Sequence, residues 1–258
     1  MRTAGVALGA LTPVGQGSLT DRTTDALLEA IFDDRFADRR LPTEPELAAM
    51  LNVSRTTVRA ALQSLERLGV ISRAPGRGTT VLPHVRRNAI ALQRLIGFSA
   101  LLAEQYKDVR VDQNCWIEDH ATPFAASALG IDERTPVVKT SKLYIADGQP
   151  AIHVRDEIPV VNFSESTRTD LEAGRMTGML DSIFSLSKTW PGHEIMHTVV
   201  ELGADVATGA SDFPLKLDKG TPYVVLSEIH YAVDGEPVAF SRVRIDNRYL
   251  QLQVVRHH

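Results

Sequence analysis

Residues 54–69 read Ser54-Arg-Thr-Thr-Val-Arg-Ala-Ala-Leu-Gln-Ser-Leu-Glu-Arg-Leu-Gly69, and this stretch organises the chain. Ser54 is a good helix N-cap, and Gly69 supplies the left-handed position that ends a helix. Between them Val58, Ala61, Leu62, Leu65 and Leu68 recur at helical spacing and mark one apolar face. The first turn instead carries Arg55, Thr56, Thr57 and Arg59. The positive end of a helix dipole disfavours cations, so two arginines there call for an anionic or base-edge partner. A recognition helix pointing its leading turn into the major groove meets that need. An ordinary amphipathic helix with solvated arginines has the same pattern, and the flanking residues decide between the two.

Upstream, Leu19 to Arg39 reads as a first helix with Ala26, Leu27, Ile31 and Phe32 on one face. A second helix starts at Thr43-Glu44-Pro45-Glu46, where Thr43 and Glu46 have capping-box spacing and proline is tolerated in the first turn. It runs through Leu47, Ala48 and Leu51, and Asn52-Val53 turn the chain into Ser54. Two short helices joined this way form a helix-turn-helix. Downstream, Val70 to Arg73 and Thr79 to Leu82 are strand-like around Ala74-Pro75-Gly76-Arg77-Gly78. That is a hairpin with a glycine-rich basic tip, a wing. The same residues also read as a surface turn with an incidental charge; a phosphate loop fits less well than either, because the Gly-Lys-Ser/Thr ending is missing.

Charge agrees with a polyanion partner. Asn52 to Arg87 holds seven arginines against one acid, Glu66, so it carries +6 while the whole chain is −4 and the remainder −10. Arginine's planar fork suits guanine edges and phosphates better than lysine's point charge. At 258 residues there is room for two domains with cores. No apolar run approaches the roughly 20 residues of a membrane helix. Cys115 is the single cysteine, so no intrachain disulfide forms, which fits a reducing cytoplasm.

The blocks Leu41-Pro42-Thr43-Glu44, Glu46-Leu47-Ala48, Val53 to Arg59 and Gly76-Arg77-Gly78-Thr79 resemble the winged-helix signature of the GntR family of bacterial transcription regulators. The resemblance covers about residues 19–83. It implies that Arg55, Thr56, Thr57 and Arg59 contact the groove, with Thr43 beside them, and that Gly76, Arg77, Gly78 and Thr79 form the wing contact. Two departures stand out. Pro45 sits where the family usually has a DNA-contacting arginine, and residues 33–40 lack the usual glycines. Residues 1–17 read as a flexible tail, 18–83 as the winged helix and 84–97 as a linker in which Arg86 and Arg87 either touch phosphate or are simply solvated.

The second domain, residues 98–258, changes character. Val109, Val111, Gln113, Cys115 and Ile117 alternate as a strand, and Pro123 to Leu129 is a short helix. Val137 to Ile145 and Ala151 to Ile158 form a hairpin around Asp147-Gly148, and Tyr223 to Ala232 and Pro237 to Ile245 another around Asp234-Gly235. Leu171 to Leu186 reads as one helix, and Glu194 to Leu202 and Tyr249 to Val255 as strands. The hairpins repeat each other: Thr135-Pro136, Tyr144, Asp147-Gly148 and Pro150 recur as Thr221-Pro222, Tyr231, Asp234-Gly235 and Pro237, with a one-residue insertion. The expected fold is α+β: a winged helix followed by a pseudo-twofold antiparallel sheet with flanking helices.

With Ala128-Leu129-Gly130, Thr135-Pro136-Val137, Lys142 to Pro150 and Gly220-Thr221-Pro222, this domain is similar to the UTRA effector-binding domain, of chorismate-lyase fold, found in the HutC-type branch of the GntR family. That similarity implies a ligand cleft beside the sheet, lined in relatives by two arginines and a glutamate. Here Lys142 and Tyr144 occupy the arginine positions and Ala239 the glutamate position. His153, Arg155, Tyr231, Ser241 and Arg242 are the further effector candidates, each also readable as a solvated strand face. The loss of the arginine pair and the glutamate argues against the usual sugar-phosphate or amino-acid effectors.

His193-Glu194-Ile195-Met196-His197 spells the zinc-protease motif H-E-x-x-H, which needs a helix to bring both rings to one metal. Its β-branched continuation reads as a strand, so no metal or cofactor is expected. Trp190, Met176 and Met179 read as core. The expected protein is a cytoplasmic homodimeric regulator, more in keeping with a repressor. It binds double-stranded DNA at a near-palindromic operator and responds to a small-molecule effector. An enzyme on the chorismate-lyase-like fold and an effector-independent DNA binder are the rival classes.

Overall fold

The computed structural model describes residues 18–74, 76, 78–83, 85, 97–173, 182–209 and 214–252. The chain divides into two compact units, Met1–Ile90 with Val254–His258 and Ala91–Gln253.

In the first unit, helix α1 spans Leu19–Phe32, α2 Glu44–Leu51 and α3 Arg55–Arg67. Ser18 and Asp21 close a reciprocal capping box on α1. The helix stops at Phe32, short of the expected Arg39, because Asp34 takes a left-handed φ of 52°. Ala26 is exposed, and the face toward the core is Thr23, Thr24, Leu27, Leu28 and Ile31. A 3-10 turn at Ala37–Arg39 follows, with Asp38 and Arg39 also at positive φ. Aspartates thus supply part of the conformation for which glycine would be the usual residue. Asn52, at φ 52°, ends α2 in the same way and makes the tight turn into α3. Val58, Ala61, Leu62 and Leu65 of α3 are buried to 1% exposure or less, each large side chain contributing about 1.5–3 kcal/mol by leaving water.

Strands β2 (Ile71–Ala74) and β3 (Gly78–Val81) form the expected wing, with Ala74 opposite Gly78. A short strand that sequence reading missed, β1 (Arg40–Leu41), pairs with β3 on its other side.

The second unit is built on a six-stranded antiparallel sheet of β4 (Val109–Glu118), β5 (Val137–Ala146), β6 (Gln149–Pro159), β7 (Ile195–Val206), β8 (Pro222–Ala232) and β9 (Pro237–Ile245). The spatial order β4-β5-β6-β9-β8-β7 sets one three-stranded half beside the other. The sequence repeat therefore has a structural counterpart. Helices α4 (Phe98–Ala103), α5 (Pro123–Leu129), α6 (Glu165–Glu172) and α7 (Ile183–Ser187) accompany the sheet.

Two expectations need correction. The helix expected over Leu171 to Leu186 is two helices. Ser164 caps α6, which ends at Glu172, and Ser182 caps a fresh start at Ile183. Met176 and Met179 lie outside the described residues. No strand forms over Tyr249–Leu252. The Tyr249 and Leu250 N–H groups both donate to the Asp246 carbonyl, at 3.0 and 3.3 Å, which curls the chain.

Each hairpin carries one bulge, between Tyr144 and Ile145 in the first and between His230 and Tyr231 in the second. Superposing the bulges aligns Tyr144 with His230 and Lys142 with Glu228. Aligning the sequences instead pairs Tyr144 with Tyr231. The longer turn at the end of β8, closed by Ala232 N–H to the Glu236 carbonyl (2.9 Å), slips the ladder by one residue. A one-residue slip sends a side chain to the opposite face of a sheet.

Candidate functional sites

The first candidate site is the leading turn of α3 with the wing. Ser54 Oγ accepts from the Thr57 N–H at 3.0 Å and lies 2.7 Å from Thr57 Oγ1, so the Thr57 hydroxyl belongs to the cap. Arg55 and Thr56 are exposed. Arg59 is not free in the same sense. Its Nη2 donates to Glu44 Oε2 at 2.8 Å, and Arg73 Nη2 from β2 donates to Glu44 Oε1, also at 2.8 Å. Hydrogen bonds from Arg59 outweigh the effect of burial, and both guanidinium charges add to hold the Glu44 carboxyl below the usual range. One carboxylate at the start of α2 thus orients two cations from α3 and the wing sheet. Sequence reading used Glu44 only as part of a block; its partners lie 15 and 29 residues away.

Thr43 donates its backbone N–H (2.8 Å) and hydroxyl (2.7 Å) to Glu46 Oε2, a capping arrangement at the start of α2. At the wing tip Gly76 and Gly78 have φ of 76° and 77°, with open space where a Cβ would stand. Thr79 is paired opposite Arg73 and Leu41. Arg77, Arg86 and Arg87 lie outside the described residues.

The second candidate site is one face of the six-stranded sheet. Between an apolar cluster around Phe163, Ile183 and Trp190 and another around Tyr144, Leu226 and Val243 lies a polar strip running across five strands. Thr140 Oγ1 (2.6 Å) and Lys142 Nζ (2.9 Å) donate to Asp156 Oδ2, and Ser241 Oγ donates to Oδ1 at 2.7 Å. His230 Nε2 lies 2.8 Å from Ser241 Oγ, and Thr198 Oγ1 lies 2.8 Å from His230 Nδ1. Burial alone would push the Asp156 carboxyl up; the Lys142 charge and the hydroxyl donors more than offset it and hold it low. Burial pushes the His230 imidazole down to about 4, so it is neutral.

Those two states fix every proton. Thr198 donates to His230 Nδ1, His230 Nε2–H donates to Ser241, and Ser241 donates to ionised Asp156. Ser241 therefore gives its proton to a carboxylate rather than to the imidazole, the reverse of a nucleophile activated by a base. Burial also drives the Cys115 thiol on this face up to about 11, far from a reactive thiolate.

Polar groups on this side remain available, among them the following. Glu228, 14% exposed, is pushed up to about 7 by burial and then by the Asp156 charge. Gln113 Oε1 on β4 and Arg168 Nε on α6, a helix packed against β4, are buried without a hydrogen-bond partner. Sequence reading missed Asp156, Glu228, His230 and Arg168. The alternation of β6 and β8 held the first three, but nothing local distinguishes the two faces.

The expected effector residues divide between those faces. Lys142, Tyr144 and Ser241 share the side just described, where Lys142 is 2% exposed and fully paired with Asp156. His153, Arg155, Tyr231 and Arg242 lie on the other side, where Tyr231 stacks on His197 at 5.0 Å. Ala239, at the expected glutamate position, is buried opposite His230.

The H-E-x-x-H motif spans a turn and a strand. His193 follows the Pro191-Gly192 turn and His197 sits on β7, so the helix that the motif requires is not formed. Trp190 is buried edge-on to Phe163. Among the described residues no cluster of three or more His, Cys, Asp or Glu side chains comes together as a metal site, and no helix is long and apolar enough to cross a membrane.

Comparison with known families places the first site inside a match, over residues 19–81, to the bacterial regulatory proteins of the gntR family. The second lies inside a match to the UTRA domain over residues 117–250, half of the chain. An uncharacterized HTH-type transcriptional regulator of Rhizobium meliloti is 26% identical, with 92% of each chain covered. The probable fructoselysine utilization operon transcriptional repressor of Escherichia coli is 24% identical, covering 88% of this chain and 93% of its own. The HTH-type transcriptional repressor NagR of Bacillus subtilis is 26% identical over 77% of each. Among solved structures, the possible transcriptional regulator YydK of Bacillus subtilis has a TM-score of 0.62 at 19% identity, covering 92% of this chain and 99% of its own, and so shares the fold.

Proposed function

We propose that this chain, which belongs to the GntR family of bacterial regulatory proteins and carries a UTRA domain, is a cytoplasmic one-component repressor released or engaged by a small effector. The observation that carries the reading is the leading turn of α3. Arg55 and Thr56 project from a rigidly capped helix end, and Glu44 holds Arg59 and Arg73 in fixed directions beside them. Such an end suits the major groove, with Arg77 and the glycines of the wing on the backbone or in the minor groove. The winged helix (residues 18–83), the linker (84–97) and the effector domain (98–258) divide the work.

The effector sits on the strip between the two apolar clusters. Lys142 has its charge matched by Asp156, so the ligand meets Glu228, Gln113 and Arg168 rather than a bare lysine. Its control of DNA affinity is limited to its differential affinity for the two states. The proton order of the Ser241–His230 pair supports a binding role and not an enzyme.

The protein acts as a homodimer on a near-palindromic operator, one half-site per subunit. Support comes from β7, a twelve-residue edge strand with Val199, Leu202 and Val206 each more than half exposed. A long edge strand with exposed apolar side chains seeks a second strand.

The test is fluorescence anisotropy on the promoter of the protein's own operon, titrated at several salt concentrations and then with a metabolite panel. Specific binding that at least one non-consumed metabolite alters is the expected result. Equal affinity for promoter and random DNA would overturn the proposal.

A further inference from the structure

The opposite face of the same sheet carries a second polar row that the regulatory reading does not use. Across β5, β6, β9 and β8 the register sets Ser141 beside Arg155, Arg155 directly opposite Arg242, and Arg242 opposite Ser227. One step along, His153 stands opposite Arg244. Like charges directly opposite on neighbouring strands repel and need compensation.

No carboxylate within ion-pair distance supplies it among the described residues. Glu157 accepts from the Thr122 N–H and hydroxyl at 2.8 and 2.7 Å. Asp205 accepts from Tyr223 at 3.2 Å. Glu201 stands beyond Ser227, two strand spacings or about 10 Å from Arg242.

Two of the three guanidiniums are held in place. Arg242 lies over the Phe124 ring at 5.1 Å, and its Nε is buried with no partner. His153, 3% exposed, lies 2.9 Å from Ser141 Oγ through Nε2, and its Nδ1 faces Arg244 Nη1 at 3.4 Å. A buried imidazole that faces an arginine through Nδ1 keeps that nitrogen unprotonated, so Nε2–H points to Ser141. Burial first, then the charges of Arg244 and Arg155, push its titration down to about 4. Burial likewise lowers Arg244; Tyr223, which hydrogen-bonds its guanidinium, acts in the opposite direction, and the charges of Arg242 and Arg155 add to the lowering.

We propose that Arg155, Arg242 and Arg244, with Ser141 and Ser227 as hydroxyl donors, form a site for a compact oxyanion of the phosphate class on the sheet face opposite the effector strip. Two features select a small ligand over a macromolecule. Arg242 and Arg244 are only partly exposed, between Phe124 on one side and Tyr223 on the other, while Arg155 alone stands fully at the surface. Fork-shaped donors at this density match the oxygens of a phosphoryl group.

The experiment uses the full chain in a phosphate-free, low-salt buffer. Inorganic phosphate and ribose 5-phosphate are titrated, with sodium chloride at matched ionic strength as control. Phosphate at about a hundred times its Kd should raise Tm by roughly 5 °C or more, saturably, where chloride does not. Tighter binding of the ester assigns the ligand to a phosphorylated metabolite, and equal binding assigns it to the free ion. Arg155→Gln should weaken phosphate binding about tenfold or more and, in the absence of phosphate, raise Tm by relieving the repulsion against Arg242. Arg242→Gln should abolish the phosphate shift. A fall in Tm for Arg155→Gln without phosphate, or an unchanged shift in both variants, overturns the site. So does sedimentation showing that Arg155→Gln splits a dimer, because the arginines would then face a second copy's carboxylates.

Discussion

Glu44 shows how one side chain changes the reading of its neighbours. By its residue types the first turn of α3 offers Arg55 and Arg59 as equal reading groups. In the folded unit Arg59 is shared with a carboxylate and Arg55 is exposed, so Arg55 is the residue proposed for the direct contact. Arg55→Ala should lower operator affinity on the order of tenfold to a hundredfold and relax base preference, as read by anisotropy against operator and scrambled DNA. Glu44→Gln should do something different: about 1 kcal/mol lower stability in urea, and a steeper salt dependence because two cations are released to phosphates. Equal salt slopes for Glu44→Gln and the parent would show that Arg59 and Arg73 do not reach the backbone.

Glu228 makes a second prediction at this scale. Its carboxyl titrates at about 7 in the folded chain against 4.5 as a free side chain. A pKa raised by folding means that its stability contribution is whole below pH 4.5 and is lost as pH rises through 7. Glu228→Gln should remove that loss, leaving the variant more stable than the parent above pH 7 by up to roughly 3 kcal/mol and indistinguishable near pH 4.5. His153 and His230 act in the opposite direction. Their lowered values mean stability that is whole above pH 6.5 and lost as pH falls toward 4. Melting curves of parent and variant across pH 4–9 check both signs.

Among elements, the edge strand β7 and the bulged hairpins matter most. Edge strands in soluble proteins are ordinarily short or charged. β7 is long, and although it carries Glu201 and Asp205, Val199, Leu202 and Val206 are each more than half exposed and its last six residues are all exposed. Leu202→Lys should therefore convert a dimer into a monomer in sedimentation velocity while leaving the melting of the unit within about 1 kcal/mol, since the side chain is 56% exposed. A dimer that survives this change is assembled elsewhere. The hairpins show why repeated motifs mislead about faces. Asp147-Gly148 turns in two residues with both at positive φ, whereas the Asp234-Gly235 turn is longer, and Tyr144 and Tyr231 end on opposite sides of the sheet. One inserted residue outweighs the sequence identity around it.

At the scale of the whole molecule, the winged helix was legible because its determinants are local. Ser54, Thr43 with Glu46, Asn52 and the wing glycines each act within a few residues of where they stand, and the apolar period of α3 names its own buried face. The boundaries that failed, at Phe32 and Glu172, failed where aspartate or alanine ended a helix without the usual glycine. The sheet was legible as strands and hairpins, again from alternation and turn residues. Its two faces were not, because residue type along a strand does not name a face where bulges interrupt the alternation.

By itself, then, the sequence determined that this chain carries a DNA-reading winged helix and an effector-type sheet, since caps, turns and periodicity act over distances the chain spells out directly. Only the tertiary structure decided which groups work together. Glu44 meets Arg59 and Arg73. Asp156 gathers Thr140, Lys142 and Ser241 while His230 and Thr198 complete the line, and three arginines share the far face. The physical reason is that a pairing between strands depends on register. Register is set by turn length and bulges summed over the whole sheet, not by the residues that end up in contact. The helix from Ser54 to Gly69 could be read from the chain alone; the sites on the sheet had to be seen folded.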